Sequence, residues 1–282
     1  MEIYIAEEKV FYYPAQFTPE VARDRVEQKK TGLVAGAVGA LISRPKPDEI
    51  QFSAAEYRYE PYWMVNITSR TRFERNRTFT FPVSGSEVQS VILMGQVFPL
   101  DPRQREPAVT LDGVEQCLEE NHASRSCDAL EGKTIDLSRC QNFQRLVVED
   151  LENFVPRGWL VTPPRLKASA VVRQVMSQVL KPAQNAHLIL EEKVEVSLLE
   201  LLFLPVYAFE FEWSAKNKRS VVEFDALSGD LRSSGRKLQE QVKGMLSRDL
   251  IFDVTADAVG LIVPGGSIAV KLVKAAVDSG KK

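Results

Sequence analysis

The residues best suited to chemistry are Cys117, His122, Cys127 and Cys140, which gather every cysteine of the chain and one of its two histidines. Three thiolates and one imidazole form a legitimate tetrahedral set for Zn²⁺. The spacing C-x4-H-x4-C-x12-C matches no standard zinc knuckle. A helix over Leu111–Leu118 would also leave Cys117 among apolar neighbours, where a thiol behaves as a small hydrophobe. Unpaired thiols are therefore the simpler expectation, with zinc and a disulfide as alternatives. Nucleophilic catalysis would need a base within hydrogen-bond reach of a thiol, which nearness in sequence does not provide.

A second constellation is Arg70, Arg72, Arg75 and Arg77, interleaved with Phe73, Phe79 and Phe81. On a strand, Arg70 and Arg72 share one face and Arg75 and Arg77 the other. Such a strip could hold phosphates while aromatics stack on bases. The simpler use is a solvated face that protects a hairpin from edge-to-edge aggregation. Tyr62 and Trp63 complete the candidate ligand or partner surface. No triad, metal box or acid/base pair emerges elsewhere: Glu56 and Glu200 sit beside apolar neighbours, Asp225 and Asp230 flank a turn, and His187 stands alone. The run Gly32–Gly39 lacks the Gly-Lys-[Ser/Thr] ending of a P-loop and suits close helix packing instead.

Composition narrows the class. The chain has 282 residues, 44% apolar and 26% charged, with net charge −2 and a pI near 5.9. That is the mix of a globular protein with a sizeable core and no global attraction to nucleic acid or anionic lipid. The acidic start MEIYIAEE lacks the basic flank and apolar run of a secretory signal. With three cysteines, this predicts a cytoplasmic protein, with peripheral membrane contact through an amphipathic helix over Ile268–Val277 as an alternative.

The elements that must position these residues follow a repeat. Glu49–Ile67 and Lys193–Phe211 carry matching Ser, Glu and Pro at Ser53/Ser197, Glu56/Glu200 and Pro61/Pro205, 144 positions apart. Thr18-Pro19 and Thr162-Pro163 stand at the same offset and resemble helix starts, as do Gly85 and Gly229 for turns. After Thr162-Pro163, the stripe Ala168, Val171, Val172, Val175, Met176 and Val179 predicts a buried helical face ended by Pro182. Each proline in the repeated strands must lie at a bulge, an edge or a junction, because it cannot donate to a ladder.

The expected architecture is α+β: two duplicated units, each a helix on an antiparallel β-meander, with a helical insert and C-terminal helices. The units span 1–100 and 157–234, the insert 101–156, and the terminal helical segment 235–282. The insert helices are expected around Leu111, Val114 and Leu118 and again over Phe143–Phe154.

The strand Tyr59-Glu60-Pro61-Tyr62-Trp63 resembles the Y-x-P-[FY]-W signature of a set of uncharacterised bacterial proteins often joined to zinc ribbons. VVEFDALSGDL resembles the hairpin of peptidase-propeptide-like (PepSY) modules. Neither resemblance implies a reaction, and this chain lacks the paired Cys-x-x-Cys of a ribbon. These features point to a non-enzymatic binding or assembly module that meets a protein partner. A membrane-peripheral protein, or a zinc-dependent or nucleic-acid factor, is the alternative.

Overall fold

Runs of alternating β-branched, aromatic and polar residues favour extended chain, and here they dominate. The computed structural model describes residues 1–43, 46–101, 103–233, 235–238, 246–254 and 271–274. Among the described residues strands hold 47%, against only three α-helices. The expected α+β pair of helix-on-meander units is therefore incorrect: the molecule is built on one large mixed sheet.

Its strands in chain order are β1 (Glu2–Ile5), β2 (Lys9–Tyr12), β3 (Ile50–Pro82), β4 (Ser90–Leu93), β5 (Gln96–Pro99) and β6 (Ala108–Asp128). Then follow β7 (Leu146–Val147), β8 (Leu160–Val161), β9 (Leu188–Trp213), β10 (Lys218–Asp225), β11 (Leu231–Ser233) and β12 (Lys271–Lys274). The helices are α1 (Pro19–Ser43), α2 (Ala168–Val179) and α3 (Arg248–Ile251). All strands but β4 and β5 join a ten-stranded sheet, whose spine is the antiparallel pair β3–β9.

The two stretches that match at 144 positions are thus neighbours in one ladder, not parts of separate units. From Ala54↔Glu210 to Asn66↔Leu198 the register runs without a break, and Glu60 lies opposite Leu204, its own counterpart in the repeat. Along its other edge β9 carries β1 and β2 in parallel and then β10 in antiparallel. β3 carries β8 and β6.

Pro61 and Pro205 occupy equivalent junctions. The Pro61 carbonyl accepts from Ala129 N at 2.9 Å, and the Pro205 carbonyl from Ala226 N at 2.9 Å. In a hydrogen-bonded antiparallel pair the partners exchange two bonds, but proline has no N–H to return. The Ala129 carbonyl instead accepts from Arg165 N and Leu166 N, and the Ala226 carbonyl from Gln16 N and Phe17 N. Each proline so frees one carbonyl to hold the chain that leads into a helix.

α2 begins at Ala168, six residues after Thr162, whose N–H instead extends the sheet by donating to Tyr59 O. Thr162-Pro163 is thus not a helix start, whereas Thr18 Oγ1 does accept from Val21 N at 3.4 Å at the head of α1. The stripe from Ala168 to Val179 is buried against Trp63, Val65 and Ile67. α1 buries Ala22 and Val26 with Tyr207, Phe209 and Phe211. Gly36, at φ 74, interrupts its helical geometry.

The helical insert is also corrected. Leu111, Val114 and Leu118 lie in β6, whose exposure alternates residue by residue and which pairs with β3 over its whole length. The expected boundary at 101 falls between the two arms of a single hairpin. Leu146 and Val147 form a short strand against β2. Lys271–Lys274, expected inside a terminal helix, pair in parallel with β1. The remainder of that expected helix, with Val242 and Met245, lies outside the described residues.

Candidate functional site

Because strand side chains alternate, within the unbroken register (Ala54–Asn66 on β3, Leu198–Glu210 on β9) the odd-numbered aromatics face the helices and the even-numbered residues the opposite face. On that opposite face β3 places Glu56, Arg58 and Glu60 in a row. Glu56, Ala208 and Glu223 lie abreast across β3, β9 and β10. Ala208, carrying only a methyl, leaves Arg58 room to span β9.

Arg58 is 1% exposed and meets three carboxylates: Glu56 Oε1 at 3.1 Å, Glu60 Oε1 at 3.0 Å and Glu223 Oε1. Burial works against its charge, yet the carboxylates of Glu60 and Glu223 outweigh burial and raise the guanidinium pKa. The cluster continues through Arg236, which reaches Glu60 and Asp128 at 3.4 Å each, while its backbone N–H donates to Glu223 Oε1 at 2.8 Å. The Tyr62 hydroxyl donates to Glu60 Oε2 at 3.1 Å. Gly235 must approach closely here, since a Cβ would stand 2.6 Å from Glu223 Cγ.

Two matching turns frame the cluster, Asp128-Ala-Leu-Glu-Gly-Lys133 and Asp225-Ala-Leu-Ser-Gly-Asp230. Asp128 accepts from the N–H groups of Leu130, Glu131 and Lys133, and Asp225 from those of Leu227 and Ser228. Gly132 (φ 74) and Gly229 (φ 83) supply the left-handed residue of each turn. The counterpart of Gly229 is therefore Gly132, not Gly85. The repeated Asp-Ala-Leu-x-Gly was the signal available in the sequence, hidden because the two hairpins differ greatly in length.

This arrangement clamps loops onto the sheet: its cations are arginines and its carboxylates are bonded. On the other half of the same face, Glu200 is paired to Arg145 Nη1 at 2.6 Å. That guanidinium lies 4.0 Å over the Phe11 ring.

The cysteine set does not assemble. Cys117 and Cys127 lie ten residues apart on β6, about 33 Å at strand rise, and His122 projects from the opposite face of that strand. Its Nδ1 lies 3.3 Å from Thr68 Oγ1. Among the described residues no group of three or more His, Cys, Asp or Glu is placed to hold a metal ion. All three thiols are unpaired. Burial pushes the Cys140 thiol up to about 11, with Asp225 and Asp136 adding to it, and burial also raises Cys127. Burial thus disfavours the thiolate form at both.

Tyr62 and Trp63 are core residues, 2% and 0% exposed, and cannot form a ligand surface. Trp63 Nε1 donates to Leu166 O at 2.7 Å, and its ring meets Phe252 edge-on at 5.2 Å. The four arginines stand apart from them on the sheet's far end, each within 4 Å of a glutamate. Arg70 meets Glu120 at 3.4 Å and Arg72 meets Glu191 at 3.8 Å. Arg75 and Arg77 both reach Glu115, at 2.5 and 3.4 Å. The row thus sets four arginines against three glutamates, with each guanidinium in contact with a carboxylate.

What sequence reasoning missed is the arm these arginines introduce. β9 ends at Leu188, where it pairs with Glu74. Beyond it, among the described residues, β3 and β6 continue as a two-stranded ribbon through Pro82↔Ala108, about 27 Å at strand rise. The separate β4–β5 hairpin fills the connection between them. Phe81, Ile92, Met94, Val97 and Val114 are all exposed on this arm, Met94 completely, and Leu118 is exposed at its three-stranded base. The visible signal was Ser90–Pro99, two apolar runs about Met94-Gly95.

No family model, curated protein or solved structure matches the chain.

Proposed function

We propose that the protein is a non-enzymatic binding or assembly module whose contact element is the β3–β6 arm, from about residue 75 to residue 115. The observation that carries this reading is the set of apolar side chains the arm leaves in solvent. Ile92 and Val97 lie directly across the β4–β5 ladder beside Met94, an exposed apolar cluster of the kind that marks an interaction site. An isolated two-stranded ribbon also contributes little stability of its own, so a merely structural purpose accounts poorly for it. The body supports the reading by holding the arm's base, where Phe73 is buried and β9 forms a third strand.

The paired arginines disfavour nucleic acid. Three unpaired thiols fit a reducing compartment, so we place the module in the cytoplasm. Among the described residues no helix is long and apolar enough to cross a membrane.

The test replaces residues 83–107 by an Asn-Gly turn joining Pro82 to Ala108. Full-length and trimmed chains are then compared for capture of partners from native extract and for turnover on a broad substrate panel. Loss of capture without loss of folding is expected. Equal capture by both chains, or turnover by the trimmed chain, would refute the reading.

A further inference from the structure

The end of the arm has a composition unlike the rest of the chain. From Val88 to Leu100 there is no Asp, Glu, Lys or Arg, although charged residues make up 26% of the whole. Charges resume immediately outside, at Glu87 on one side and Asp101, Arg103 and Arg105 on the other.

The β4–β5 ladder pairs Ile92 directly with Val97, so both side chains lie on one face of the hairpin. They are 69% and 63% exposed. Val91, Leu93 and Phe98, on the alternate face, are half-buried. Met94 (φ 50) and Gly95 (φ 80) close the turn with two positive φ values, as a tight two-residue hairpin loop requires. Met94 is fully exposed at the apex. The outer surface is therefore convex, narrow and apolar.

Resting on the reading of the arm as the contact element, we propose that this hairpin is a membrane-insertion tip. Ile92, Met94 and Val97 enter the interfacial zone of a lipid bilayer, and Glu87, Asp101, Arg103 and Arg105 stop at the headgroups. Three features favour lipid as the occupant. First, the outer surface is too small for a stable protein complex, which needs about 800 Å² from each partner, and three side chains supply far less. Second, a convex tip without charge has neither shape nor charge with which to select a protein surface, whereas a bilayer demands neither. Third, the hairpin's dimensions fit: four residues per strand span about 14 Å, against an interfacial burial depth of about 5–10 Å. Among the described residues the outer edges of β4 and β5 pair with no strand. Their outward N–H and C=O groups need water or headgroups, which limits insertion to that shallow depth.

The experiment uses the full chain and vesicles of uncharged phosphatidylcholine. Co-sedimentation is measured for the parent and for I92D/V97D, whose folding is checked by thermal melt and size. Because both residues are exposed, the variant is expected to melt with the parent. The parent is expected to partition onto vesicles, the double variant at least about tenfold less. Parent binding should be unchanged between about 0.1 and 0.5 M salt, since no ion pair is involved. In M94W, a blue shift of the new indole on vesicles, quenched by brominated acyl chains, reports depth directly.

Absence of parent binding, equal binding by the double variant, or binding only to anionic vesicles with strong salt dependence would overturn the proposal. So would a concentration-dependent dimer that I92D/V97D abolishes without any lipid binding, since the occupant is then a second copy. If lipid binding is absent but trimming the arm still removes a protein partner, the membrane tip falls and the arm reading stands.

Discussion

The two halves of the β3–β9 ladder carry the same backbone frame and opposite chemistry. About the Glu60↔Leu204 pair, Arg58 and Glu60 on β3 correspond to Leu202 and Leu204 on β9. The β3 half joins Arg58 to three glutamates and draws Arg236 over them. The β9 half packs Leu202 and Leu204 with Phe11, Tyr13 and Leu137. Equal backbone geometry therefore tolerates either filling, provided each is complete. Apolar packing needs only volume, whereas a buried ion cluster needs every partner present, because stranding one charge costs more than the pair contributes.

Arg58→Met is expected to produce the largest effect. It leaves Glu56, Glu60 and Glu223 crowded around an uncharged side chain and should cost about 3–5 kcal/mol in urea unfolding. Leu204→Ala, on the apolar half, should cost about 2–4 kcal/mol through lost burial and a cavity. If Arg58→Met proved milder than Leu204→Ala, the two halves would be energetically alike and the contrast would fail.

Alkali probes both faces. Burial raises the Tyr62 hydroxyl, with Glu60 adding to it, and burial lifts Tyr207 to about 12 from 10.0. In the unfolded chain a tyrosine ionises near 10, while the folded one keeps its proton. The folded state thus binds more protons in that window, and stability should fall as pH rises from 10 toward 12. Urea midpoints and tyrosinate absorbance measured together check this; a flat profile across that window would contradict it.

Glu200→Gln should cost no more than about 1 kcal/mol, because Arg145 is 40% exposed and can turn to water. A loss near that of Arg58→Met would place a second essential ion cluster on the apolar half. Smallest of all, replacing residues 83–107 with Asn-Gly should change unfolding free energy by no more than about 0.5 kcal/mol. A much larger loss would mean that the arm belongs to the folding core.

Local patterns were legible where one face alone decides the structure. The α2 stripe is buried residue for residue, because a 3.6-residue period of apolar side chains has one economical packing. The pleat likewise put Arg70 and Arg72 on one face and Arg75 and Arg77 on the other. Reading failed where periods overlap. Leu111, Val114 and Leu118 fit a helix, yet the β3 ladder outweighs that local preference. Tyr62 and Trp63 looked like a surface because strand alternation does not reveal that both faces are covered.

The sequence by itself determined that two proline-bearing strands carry matching residues and that one apolar helix precedes the second. It also contained the uncharged run from Val88 to Leu100. Only the tertiary structure decided that those strands pair with each other, that one half of their shared face is ionic, and that the uncharged run ends a projecting arm. The reason is physical: helix faces are set by contacts within a few residues, whereas strand partners, buried charge pairs and solvent exposure depend on chain segments more than a hundred residues apart.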